Sequence, residues 1–143
     1  MNQSESIANL AKSLSAVQGK LTYAKKDSKN PFFKSNYADL ESVWDACRDL
    51  LSSNGLAVSQ FPGLYSELDK SMSLTTILTH NSGEWISQEM SMPLSKVDAH
   101  GCMAIITYMR RASLAAVIGV VQADDDGNTA VNKSQPVIKA KEI

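Results

Sequence analysis

Arg110 and Arg111 stand side by side in the run ITYMRRASLAAVIGVV, with small or apolar residues around most of it. A guanidinium among such neighbours needs a partner, because an unpaired buried charge is costly. Tyr108 and Thr107 lie three and four positions before Arg111, so on a helix they share its surface. Guanidinium groups pair bidentately with phosphate and an aromatic ring stacks on a base, which suits a phosphate–sugar strand. The competing use is an ion pair, either with Asp124, Asp125 and Asp126 or with acids across a subunit contact. The residues alone leave both uses open.

A second set occupies residues 20–37, KLTYAKKDSKNPFFKSNY. Lys20, Lys25, Lys26, Lys29 and Lys34 face a single acid, Asp27, and alternate with Tyr23, Phe32, Phe33 and Tyr37. Charge that tracks a backbone, between rings that stack bases, is what a sequence-tolerant single-strand binder uses. The plainer use is a solvated lysine loop whose two phenylalanines tuck into the core.

Other chemistry finds little support. Cys47 and Cys102 lack metal-type spacing and read as reduced core thiols, and HGC at 100–102 offers two soft ligands with no second pair. ADDDGN could present two carboxylates to Mg²⁺ from a loop, but a nuclease also needs dispersed acids and a general base, which are not seen. No catalytic residue, metal or cofactor is expected.

These residues need elements to position them. Ile7, Leu10, Ala11, Leu14 and Val17 recur at helical spacing, which predicts a helix over 4–18, capped by Ser4 and ended by Gly19. Leu40, Val43, Trp44, Cys47, Leu50 and Leu51 predict a second helix over 38–53, stopped at Asn54-Gly55. Three strands follow, at 56–61, 72–80 and 85–94. Met72, Leu74, Thr76 and Leu78 fall on one face of the second, and Ile86, Met90, Met92 and Leu94 on one face of the third, with Gln88 as the polar interruption. A long helix over 99–120 carries Arg110 and Arg111. It is apolar nearly all round, so a neighbouring subunit or ligand is expected to cover part of it. The order α-α-β-β-β-α predicts an α+β fold with a three-stranded antiparallel meander backed by helices. The tail from residue 127 lacks an apolar pattern and is expected to be mobile.

The chain has 143 residues and a net charge of −1, so any attraction to nucleic acid must come from a local patch. It has no apolar run of about 20 residues, so no membrane span is expected, and its start lacks the pattern of a signal peptide.

NPFFKSNYADLESV, GEWISQEMSMPL and AIITYMRRASLAAVIGVVQADDDGN, in this order and spacing, resemble the ERF family, the essential recombination function proteins of bacteriophages. SESIANLAKSLSAVQGKLTYAKKDSKN fits the same pattern, so the likeness covers about residues 4–128. It implies a single-strand annealing domain over 1–128 and a flexible tail over 129–143. It also implies a β-β-β-α core, ATP-independent pairing of complementary strands, and assembly into a ring or helical filament. Single-stranded DNA is the implied partner, with a host single-strand-binding protein as a further candidate, in the cytoplasm of a bacterial host. Arg110 and Arg111 match the basic pair on the helix after the meander. Met109 and Ser113 depart from the small residue and aromatic expected beside that pair. Tyr108, Lys25, Lys26, Lys29, Lys34, Phe32 and Phe33 complete the candidate DNA-binding set. A passive single-strand binder, a Mg²⁺-dependent nuclease using Asp124–Asp126 and a purely structural ring protein are the rival readings.

Overall fold

The computed structural model describes residues 1–25, 28–29 and 36–121, with the backbone alone at 28, 29, 36 and 37. In chain order the elements are β1 (Asn2–Gln3), α1 (Ala8–Gln18), β2 (Ser28–Lys29), β3 (Asn36–Tyr37), α2 (Leu40–Ser53), β4 (Leu56–Pro62), β5 (Ser71–His80), β6 (Trp85–Pro93) and α3 (Ala99–Ile118). The fold is α+β, as the residue pattern predicts.

The meander β4-β5-β6 is antiparallel throughout, and the sheet has four strands rather than three, in the order β1-β6-β5-β4. The added strand is the N-terminal Asn2–Gln3, which pairs with Ser87 and Ile86 at the edge of β6. Two polar residues carry no alternating pattern, so their strand state comes from the edge that receives them.

Register fixes the inner face. Val58, Leu78 and Ile86 align across β4, β5 and β6, and so do Gln60, Thr76 and Gln88. Because side chains alternate faces along a strand, the first row meets the helices and the second puts a polar stripe beneath them. Leu74 and Leu78 are fully buried on this face. One hydrophobic cluster joins Leu78 to Leu10, Val17, Val43, Cys47, Leu51, Leu114 and Ile118. A second, of Met72, Leu74, Leu94 and Met109, receives Cys102, Ile105 and Ile106.

The helix ends are satisfied in different ways. Ser4 does not cap α1: its hydroxyl donates to the Ser6 carbonyl and accepts from Trp85 N–H, and the helix begins only at Ala8. The Leu10 amide is met from outside by the Glu84 carboxylate at 2.7 Å, which also accepts from the Asn9 amide side chain at 3.0 Å. A carboxylate at a helix N-terminus satisfies an orphan donor and complements the helix dipole. The Leu10 amide is the chief reason the Glu84 pKa lies below its ordinary 4.5, with the Asn9 side chain adding to it. Helix α2 begins at Leu40 and is capped locally, Asp39 accepting from Ser42 N–H at 2.8 Å.

Helix α3 ends at Ile118, two residues earlier than its apolar pattern suggests, because Gly119 turns left-handed at φ 89° and its N–H returns to the Ala115 carbonyl. The aspartates at 124–126 and the tail from 127 lie outside the described residues. At the other end, Gly101 follows Asp98, whose carboxylate accepts its N–H at 2.7 Å. A Cβ there would meet the Lys96 carbonyl oxygen at 1.9 Å, so HGC is a site of close backbone approach. By length and composition, α3 would suit a membrane span. Its mid-helix arginines are costly in a bilayer, and Met109, Leu114 and Ile118 are locked into the core.

Candidate nucleic-acid interface

The arginine pair sits at the middle of α3, where the helix crosses the polar stripe of the sheet. The Gln60 side-chain amide donates to the Thr76 hydroxyl at 3.1 Å and to the Arg110 carbonyl at 3.0 Å. This pins the arginine turn to β4 and β5. Gln60 Oε1 is buried there with no hydrogen-bond partner among the described residues.

Arg111 reaches sideways. Its Nη1 donates to the Ala38 carbonyl at 3.3 Å, and its guanidinium carbon lies 5.0 Å from the Tyr108 ring centroid. The aromatic–guanidinium neighbourhood expected from the spacing is therefore formed, with Tyr108 half-exposed beside it. The Thr107 hydroxyl does not join it. It donates back to the Met103 carbonyl at 3.0 Å, as threonine hydroxyls often do within helices, and so has no proton to offer a phosphate. Arg110 is partly exposed one position away.

The basic-aromatic loop is rooted at this point. Ala24 N–H donates to the Val121 carbonyl at 2.9 Å, tying the loop's first end to the chain just past α3. Its other end runs through Ala38 into the Asp39 cap of α2. Ala24 and Ala38 line one cleft of about 200 Å³ together with Arg111, Ala112, Ala115 and Val120. Within the loop, Ser28 pairs with Tyr37 and Lys29 with Asn36 as a short antiparallel ribbon, β2 and β3, where the sequence predicts only loop. Lys25 is exposed at the base, as is Tyr23. Lys26, Phe32, Phe33 and Lys34 lie outside the described residues, and Lys29 is described in its backbone alone.

Two sets of candidates about 75 residues apart in sequence thus meet at one cleft through Arg111 and the loop's two roots. Gln60, Ala24 and Ala38 were not legible as members. Gln60 had one signal, a polar residue on the inner register of a strand, and the alanines had none.

His80 and Cys47 have structural duties. His80 Nε2 is 3.0 Å from the Ser13 hydroxyl, and its Nδ1 accepts from Ser82 N–H at 3.1 Å, which joins α1 to the β5–β6 turn. Among the described residues no group of three His, Cys, Asp or Glu side chains is placed to hold a metal ion. Burial pushes the Cys47 thiol up to about 11, with nearby Arg48 opposing, and the thiol donates to the Val43 carbonyl.

No curated relative and no solved structure matches the chain. The family model of the ERF superfamily matches residues 10–142, which takes in all but the first two residues of α1, the whole of α2 and α3, the meander and the arginine pair. That match supports a recombination function of the single-strand annealing type in general terms, and nucleic acid as the general class of partner. With nearly the whole length matched, the chain belongs to the ERF superfamily.

Proposed function

We propose that this protein binds single-stranded DNA along the cleft of Arg111 and the loop roots, assembles into a ring or filament, and pairs complementary strands without ATP. The observation that carries the reading is the meeting of Arg111 with both ends of the lysine–aromatic loop in one cleft. Arg110 and Arg111 hold phosphates, while Tyr108 and the loop aromatics Phe32 and Phe33 support bases or sugars. Lys25, Lys26, Lys29 and Lys34 add charge along the path. Holding a strand extended with its pairing edges outward lowers the entropy cost when a second strand docks. No bond is made or broken, so no catalytic group is needed.

Assembly explains how a chain of net charge −1 holds a polyanion. Each copy contributes a modest patch, and the strand engages many patches at once. The working compartment in this reading is a bacterial host's cytoplasm, where a single-strand-binding protein would be the natural competitor or partner.

The test is the Arg110→Ala/Arg111→Ala double variant, followed by oligonucleotide binding and by annealing of complementary strands. Binding and annealing rate should each fall at least about tenfold, as removal of two guanidinium–phosphate pairs implies. An assembled double variant with unchanged annealing overturns the reading. A wild-type chain that binds single strands yet slows their pairing is a passive binder instead.

A further inference from the structure

Leu64 and Leu68 are 92% and 93% exposed on the segment joining β4 to β5. That segment is held in shape: Ser66 and Ser71 exchange backbone hydrogen bonds, and Gly63 N–H donates to the Ser73 carbonyl. Two fully presented leucines on an ordered turn expose apolar surface that nothing among the described residues covers.

Elsewhere on the same chain lies an apolar groove of about 330 Å³ between α3 and β6, lined by Ile86, Gln88, Met90, Ala112, Ala116 and Val117 among others. It exists because α3 leaves the β6 side of the inner face uncovered. Gln88 is exposed there although it shares the register of buried Thr76. β1 covers β6 only at Ile86 and Ser87. A cavity of about 150 Å³ admits a benzene-sized group, so the groove has room for two side chains of leucine size.

We infer that Leu64 and Leu68 of one copy seat in the α3–β6 groove of the next, joining copies head to tail. The occupant is a second copy because the chain carries both halves of the contact, an apolar groove and presented side chains of matching chemistry and size. The two halves are different patches, so the contact is heterologous and repeats into a ring or a filament. The contact also covers Ala112 and Ala116, part of the apolar circumference of α3 that the described residues leave open. This inference rests on the annealing reading for its need of assembly, but it names a surface that the reading does not.

The test uses two full-length variants with the arginines intact. Leu64→Asp/Leu68→Asp removes the inserted side chains, and Ala116→Trp fills the groove. All these positions are exposed, and circular dichroism checks the fold of each. Light scattering is run with and without a thymidine oligonucleotide. Wild type should be multimeric and each variant alone monomeric. An equimolar mixture should stop at a one-to-one dimer, since only one good turn and one good groove remain. A multimeric Leu64→Asp/Leu68→Asp chain, a mixture that stays monomeric, or a monomeric wild type each overturns the inference. Failure of the DNA reading looks different: the Arg110→Ala/Arg111→Ala chain would anneal normally at wild-type size.

Discussion

Arg111 and Ala38 meet at 3.3 Å, guanidinium to carbonyl, across 73 positions of sequence. The contact ties the middle of α3 to the root of the lysine–aromatic loop. It gives Arg111 a structural share that Arg110 lacks among the described residues, and the two arginines should therefore behave differently when replaced. Arg111→Ala should cost about 1–2 kcal/mol in urea unfolding, from a charge-assisted hydrogen bond and a ring contact that are partly exposed. Arg110→Ala should stay within about 0.5 kcal/mol, as surface changes usually do. Equal costs would remove the distinction.

If Arg110 meets phosphate, its removal should flatten the salt dependence of single-strand binding. Each phosphate that a side chain no longer neutralises lowers the slope of log K against log salt by about 0.7 for single strands. Titrations of wild type and Arg110→Ala over a range of salt concentrations measure this. Parallel lines would place Arg110 away from the strand.

Glu84 should give the protein an acid-sensitive joint. Its folded carboxyl titrates below the ordinary 4.5, so the unfolded state binds the proton more readily and stability rises with pH across that window. The contribution is whole above 4.5 and is lost as pH falls through the lowered folded value. Glu84→Gln should lower the melting temperature at neutral pH, with the gap from wild type closing in acid. A gap of constant size would mean that the charge on Glu84 does not matter.

Cys47 should be silent to alkylating reagents in the native protein. A thiol held near 11 offers almost no thiolate at neutral pH, and this one is buried against α2's own backbone. Mass spectrometry after a brief labelling pulse should find Cys47 unmodified until denaturant is added. Native labelling as fast as in the unfolded chain would contradict the packing.

Leu78 lies near the C-terminal end of β5 and is fully buried in the cluster shared by all three helices. Leu78→Ala should cost about 2–5 kcal/mol, the sum of the forfeited transfer energy and the cavity left behind. Chemical unfolding checks it, and a cost under about 1 kcal/mol would mean that the core collapses around the gap.

The sequence by itself determined the elements that rest on periodicity. The α2 pattern, the β5 alternation and the Asn54-Gly55 stop are local facts, and helix or strand state follows locally when one face must be buried. It also determined the family, because ordered blocks of residues along the chain carry that signal. Only the tertiary structure decided which distant groups meet. Glu84 caps α1 although no residue near Ala8 announces it, and Asn2–Gln3 becomes a strand only because β6 offers an edge. Arg111 finds the carbonyl of Ala38, an atom every residue possesses and no sequence pattern marks. The alternatives for the arginines stayed open in sequence for that reason: a charge advertises that it needs a partner, but the fold chooses which backbone or side chain stands within reach.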